Sequence, residues 1–145
     1  MNHDAICARL PHAGRMCLLE RLESWDGDSI ICIATSHRDA DNPLRRGGRL
    51  HAVAGVEYAA QAMALHGNLL SATDTSPAIG YLASVRDLKL DLEDLGTVPE
   101  DLRVTARRLS GDASGFIYEF EIRAGARALL SGRLAAKLLA AGDVA

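Results

Sequence analysis

The sequence is 145 residues long, 48% hydrophobic and 24% charged, the length of one domain with enough apolar material for a single core and no compositional sign of disorder. Its formal net charge of −3 excludes general affinity for nucleic acid, which needs a basic surface to displace counterions. No stretch approaches the roughly 18 uninterrupted apolar residues of a membrane-spanning helix, and Met1 to His12 has neither a cationic start nor a signal-like apolar run, so a cytoplasmic location is expected.

Two short apolar segments, Met16–Leu22 and Ser29–Ala34, flank Trp25-Asp26-Gly27-Asp28, whose Asp-Gly pair is a turn signal. Together they predict a β-hairpin. From Ala52 to Leu69 the composition changes to Ala, Leu, Met, Glu and Gln without Pro, predicting a helix of about five turns. Val53, Val56, Ala60, Met63 and Ala64 make one stripe, and Ala54, Ala59, Ala62 and Leu65 fill the other sides. A helix apolar nearly all round is buried on most of its circumference. Glu57, Gln61 and His66 therefore stand out on it.

After Pro77 a two-residue alternation returns. Leu88, Leu90 and Leu92 alternate with Asp87, Lys89 and Asp91, and Phe116, Tyr118, Phe120 and Ile122 alternate with Ile117, Glu119, Glu121 and Arg123. These patterns predict half-buried strands. Leu102–Leu109 and Ala128–Leu139 continue the series, the latter with Leu130, Leu134, Ala136 and Leu138 on one face, separated by turns at Gly96, Ser110-Gly111-Asp112 and Gly125. The predicted order is β–β–α–β–β–β–β in one domain, residues 1–145: an α+β fold in which a six-stranded antiparallel sheet wraps one central helix.

Cys7, Cys17 and Cys32 are odd in number, show no CxxC spacing and have no His pair at zinc-finger intervals. They read as reduced thiols, with neither a disulfide framework nor a structural metal expected. Without a Gly-rich phosphate loop or a Ser nucleophile elbow, no nucleotide and no covalent intermediate are expected either.

The string from Leu10 to Arg21, LPHAGRMCLLER, resembles the LPHRxPxLLVDR opening of the 3-hydroxyacyl-ACP dehydratases, and Glu57-Tyr58-Ala59-Ala60-Gln61 resembles their E-A-x-A-Q helix motif. Asn42-Pro43-Leu44 falls where that family has N-x-P-F. The longer string NPLRRGGRLHAVAGVEYAAQAMA, Asn42 to Ala64, is similar to the small dehydratase-like proteins of aryl-polyene and related bacterial pigment pathways. The resemblance implies a hotdog fold, a substrate carried on the phosphopantetheine arm of an acyl carrier protein, no cofactor of the chain's own, and a dimer with itself or with a second hotdog protein. One feature departs from the pattern. The dehydratases carry a His fourteen residues before the helical carboxylate, where this chain has Pro43.

Dehydration of a 3-hydroxyacyl thioester needs a base for the C2 proton and an acid for the departing C3 hydroxyl. The resemblance places Glu57 as the acid, a carboxyl expected to be desolvated on a buried helix. A Glu that supports the helix start or pairs with an Arg is the plain alternative. His51, six residues earlier, is the candidate for a displaced base, against an ordinary solvent-facing loop His. Gln61 lies one turn below Glu57 and could orient it or sit at a dimer interface. Gly55, in the same motif, is grouped with Gln61 as substrate-binding. Arg45, Arg46 and Arg49 concentrate positive charge ahead of the helix and suit an acidic carrier protein, the alternative being a solvated loop bridged to Asp39 and Asp41. Arg107-Arg108 is the rival basic pair. His12 reads as structural, and His3, His37 and His66 have no partner at a diagnostic spacing.

Four functions fit these residues. The chain is a dehydratase-like subunit whose hotdog partner supplies the missing His, a complete dehydratase using His51 and Glu57, a hotdog thioesterase in which Glu57 activates water, or a non-catalytic module that shelters an acyl chain.

Overall fold

In the computed structural model, residues 1–10, 16–71, 79–112 and 114–139 are described. The hairpin forms from β1 (Arg21–Trp25) and β2 (Ser29–Ala34). Its turn is closed by Asp26, whose carboxylate accepts hydrogen bonds from the backbone N–H of Asp28 and of Ser29, each 2.8 Å, the local bonding that makes Asp a turn residue. β1 starts later than the apolar run because backbone groups of Met16 and Leu18 are held by a side chain of the helix instead of a neighbouring strand.

The helix α2 spans Gly55–Leu70, preceded by a 3-10 turn over Ala52–Ala54. Beyond it follow β3 (Ile79–Leu90), β4 (Leu102–Asp112), β5 (Gly115–Ala124) and β6 (Arg127–Leu139). All neighbouring strands are antiparallel, in the order β1-β2-β4-β5-β6-β3. The alternation predicted for β4, β5 and β6 holds: Leu102, Val104, Ala106, Tyr118, Phe120, Ile122, Leu130 and Leu134 are buried on the face that receives α2. Each such large side chain contributes about 1.5–3 kcal/mol relative to exposure. Leu138, the last residue of the predicted β6 stripe, and His12 lie outside the residues whose side chains are described.

Four expectations change. A helix that the sequence reading did not include, α1 (His3–Arg9), is capped by the Asn2 side chain, which accepts from Ala5 N–H at 3.0 Å. It buries Ile6 and brings Cys7 to Cys17, with which it forms a disulfide. The reduced reading of those two thiols is thereby corrected: sequence spacing carries no information about a contact made by an unexpected helix. Only Cys32 is free among the described cysteines, and it is buried.

On α2, the buried residues are Gly55, Tyr58, Ala59, Gln61, Ala62, Met63, Leu65 and His66; of the Val53–Ala64 stripe only Met63 is among them, so burial covers less of the circumference than expected. Val53 is 49% exposed, Ala64 is exposed, and Val56 and Ala60 are half-buried. With apolar residues on every side, periodicity had no contrast with which to choose a face. Finally, β3 is an edge strand, and its Leu82, Val85, Leu88 and Leu90 are exposed rather than half-buried in a core.

Candidate active site

Gln61 joins three parts of the chain. Its carbonyl oxygen accepts from the Leu18 N–H at 2.8 Å, and its amide nitrogen donates both to the Met16 carbonyl and to Oε1 of Glu57, the latter at 3.2 Å. Gln61 is only 5% exposed, so its amide exchanges water for fixed partners. The two motifs of the sequence reading, one around Met16–Leu19 and one at Glu57–Gln61, are thus bonded to each other. Glu57 itself is half-buried in the first turn of α2. With Oε1 accepting from Gln61, Oε2 is the oxygen left to hold a proton or meet a ligand.

A second network fixes the loop ahead of the helix. Asn42 is buried and donates from Nδ2 to the Ser36 carbonyl (2.9 Å) and to the Tyr58 hydroxyl (3.0 Å). Ser36 Oγ donates to the Leu18 carbonyl, so the Tyr58 hydroxyl, 2.8 Å away, is the donor to Ser36 Oγ. Burial pushes the Tyr58 phenol above its ordinary pKa, keeping it a donor. Asn42 and Tyr58 entered the sequence reading only as motif letters, and Ser36 not at all. A buried-type Asn beside Pro, with a Tyr next to the helical Glu, was the available signal.

The basic cluster divides in two. Arg45 points inward, with Nε, Nη1 and Nη2 donating to the carbonyls of Asp39, Gly48 and His37 at 2.7–2.9 Å. It braces the loop through carbonyls, not through the Asp39 or Asp41 carboxylates. Arg46 and Arg49 face each other across a two-residue hairpin, Arg46 N–H to Arg49 carbonyl at 2.8 Å and the reverse at 3.1 Å. Gly47 and Gly48, at φ +60° and +78°, supply the two left-handed positions that such a turn requires. Both arginines are exposed, and among the described residues neither forms an ion pair. Arg107, half of the rival pair, is bound to Glu119, and Arg108 lies 4.2 Å over the Phe116 ring.

In the protomer His51 caps the turn ahead of the helix. It is exposed, and its Nδ1 accepts from the Val53 N–H at 3.0 Å, capping the 3-10 turn. While this bond is made, the neutral ring carries its proton on Nε2. Gly55 is buried against the sheet, where an added Cβ would lie 2.6 Å from Leu130 Cδ1. Its position in this protomer is one of close packing. The other described histidines are tied elsewhere: His3 to the Leu19 carbonyl, His37 to the carbonyls of Val98 and Glu100, His66 between the Tyr118 hydroxyl and the Asp26 carbonyl. None is bonded to Glu57.

A groove of about 560 Å³ lies on the sheet face away from α2, lined by Asp87, Lys89, Arg107, Glu119, Glu121 and Arg133. Its mixed charge and its distance from α2 separate it from the Glu57 side. Around Glu57 the protomer offers a partly exposed strip of small and apolar side chains, with Val53 and Ala64 exposed and Val56 and Ala60 half-buried.

Residues 5–138 match the model of the ApeP-like family, described as ApeP dehydratase. No curated protein sequence matches the chain significantly. Among solved structures, the dehydratase heterocomplex ApeI:P from Xenorhabdus doucetiae superimposes with a TM-score of 0.84 at 22% identity, covering 96% of this chain and 93% of that one. A mutant thioesterase from Pseudomonas aeruginosa gives 0.68 at 14% identity, covering 97% and 95%. A thioesterase-family protein from Silicibacter pomeroyi gives 0.67 at 14%, covering 94% and 95%. At these identities the structural likenesses establish the hotdog fold. No helix is long and apolar enough to cross a membrane among the described residues.

Proposed function

This chain belongs to the ApeP-like dehydratase family, and from that premise we propose that it is a hotdog subunit working on 3-hydroxyacyl groups attached to an acyl carrier protein, with the catalytic His supplied by a second hotdog subunit. The observation that carries the reading is Glu57: it is held by Gln61 beside a partly exposed apolar strip, and no described histidine is bonded to it.

In the proposed reaction the partner's base takes a C2 proton. Glu57, protonated on Oε2, gives that proton to the C3 hydroxyl, which leaves as water as the C2–C3 double bond forms. Gln61 positions Glu57 by holding Oε1. The acyl chain runs along Val56, Ala60 and Ala64, whose small side chains leave room for it. The need for a partner is supported by the capped state of His51 and by the exposed leucines of β3, an edge strand with unpaired backbone groups. It is also in keeping with the related protein's description as a heterocomplex. Arg46 and Arg49, at the tip of their hairpin, are the surface for the acidic carrier.

The test is to incubate the purified chain, alone and with candidate hotdog partners, with 3-hydroxyacyl-ACP and to follow loss of water by mass. Weak or no turnover alone, turnover with one partner, and loss of about 10²–10⁴-fold in Glu57→Gln are the expected results. Fast turnover by the isolated chain that His51→Ala abolishes would replace this reading with that of a complete enzyme.

A further inference from the structure

We propose that Cys7 and Cys17, with His3 beside them, form a thiol–disulfide exchange site for dithiols, and that its redox state sets the clamp on Glu57. The disulfide joins α1 to the segment entering β1, with the two Cα atoms 5.7 Å apart. His3 and Cys7 are four residues apart on α1 and so share one face. His3 Nδ1 lies 2.6 Å from the Leu19 carbonyl, and a carbonyl can be met only by an N–H, so Nδ1 carries the proton. The bare Nε2 then faces Cys7 Sγ at 3.4 Å. Nδ1 is 3.8 Å from the same sulfur, so the ring lies alongside Cys7 Sγ, a histidine of fixed tautomer in contact with the sulfur, the kind of neighbour that makes a thiol reactive. The same three donors would suit a soft metal ion, but the bond between two of them removes both sulfurs from such a set.

Cys17 sits between the two residues that grip Gln61. Met16 offers its carbonyl and Leu18 its N–H to the amide that holds Glu57. A covalent tie at Cys17 therefore anchors the segment against which Glu57 is positioned, and opening the tie loosens it. This second half rests on Glu57 acting as proposed above, whereas the exchange site itself does not.

The exchange balances as follows. A dithiol thiolate attacks one protein sulfur, the other leaves and takes a proton, and the second thiol of the reagent then displaces the protein from the mixed disulfide. The dithiol leaves as its own disulfide, having given two electrons and two protons, and Cys7 and Cys17 remain as thiols. In the reverse direction His3 Nε2 takes the Cys7 proton and the thiolate attacks the oxidised reagent. In a reducing compartment a disulfide of this kind is typically transient or redox-sensing.

The experiment equilibrates the full chain with graded mixtures of reduced and oxidised dithiothreitol at neutral pH, quenches with iodoacetamide and counts labels by intact mass. Cys7 and Cys17 are expected to gain label together while buried Cys32 stays unlabelled, and exchange in His3→Ala is expected to be several-fold slower. Amide hydrogen exchange at Leu18 is expected to speed up several-fold in the reduced protein, with dehydration in the presence of a partner falling in parallel. Labelling of all three cysteines at once, or a wild-type exchange rate in His3→Ala, overturns the exchange site. Unchanged Leu18 exchange on reduction overturns the coupling, whatever the activity shows. Reduced wild-type protein, checked for its fold by circular dichroism, serves beside Cys7→Ser should that variant fail to fold. Full activity of Glu57→Gln would instead defeat the catalytic reading and leave the Leu18 result to judge the clamp.

Discussion

Each polar atom of the Gln61 side chain has a partner, and two of those partners are backbone groups of the N-terminal segment. Gln61→Leu keeps the volume and strands the Leu18 N–H and the Met16 carbonyl, a loss of about 1–3 kcal/mol where the group is buried. Thermal melts are expected to show a fall of several degrees, whereas Glu57→Gln, which preserves an acceptor for Gln61, stays within about 0.5 kcal/mol of wild type. If the two variants melt alike, the amide is not the joint between the segments. His37 gives a second prediction at this scale. Burial lowers its pKa below the ordinary imidazole value, and its Nδ1 is buried with no partner. The unfolded chain therefore binds a proton at a pH where the folded one does not. The stability from neutral His37 is fully present above about pH 6.5 and is lost as pH falls toward the folded pKa. Urea titrations are expected to show stability declining below that pH, with a shallower decline in His37→Gln. None of this could be read from spacing. His66 bonds Tyr118, and His37 bonds Val98 and Glu100, all more than 50 residues away in the chain. Burial also pushes the Tyr118 phenol up to about 12, so it remains the donor to His66.

Among the elements, the two-residue alternation of β4 and β5 was legible because a sheet with one covered face sorts polar from apolar at every step. The orientation of α2 was not, since Ala and Val on all sides leave only Gln61, His66 and Tyr58 to mark the buried face, and two of those are polar. Helix α1 was missed for a related reason: seven residues are too few for a periodic signal, and its start depends on the Asn2 cap. The Arg46–Arg49 hairpin belongs to this scale too. Its glycine pair sets the exposed Arg46 and Arg49 on facing strands; Arg46 Nη1 donates to the carbonyls of Pro43 and Arg45, Arg45 is spent on three carbonyls, and neither Arg46 nor Arg49 is neutralised by an ion pair among the described residues. Arg46→Glu with Arg49→Glu is expected to weaken carrier-protein binding by roughly tenfold at low salt, given about 0–1 kcal/mol per exposed pair, and to flatten its salt dependence. Arg45→Gln should instead lower the melting temperature. Unchanged low-salt affinity in the folded double variant, measured by fluorescence anisotropy, would make the hairpin an ordinary solvated turn.

At the level of the whole molecule, the protomer leaves two apolar surfaces at least partly exposed: the Val53–Ala64 strip of α2 and the leucines of β3. β3 is twelve residues long and closes the sheet on one side, with register irregularities between Leu82 and Ser84 and between Arg86 and Lys89, the latter where Asp87 adopts φ +54°. Such irregularities bend an edge strand and interrupt regular pairing. Long apolar edges pair with another chain unless something blunts them, and lysine is a common blunting residue in natural sheets. A second hotdog subunit docked along β3 would cover Leu82 and Val85 together. Leu82→Lys with Val85→Lys should therefore leave the circular dichroism of the protomer unchanged while abolishing assembly in sedimentation velocity, with itself or with a hotdog partner. Because the proposed His comes from that partner, dehydration should be lost in the same variant even though Glu57 and Gln61 are intact. Wild-type chain that sediments as a monomer at micromolar concentration with every candidate partner would remove the basis for the shared site.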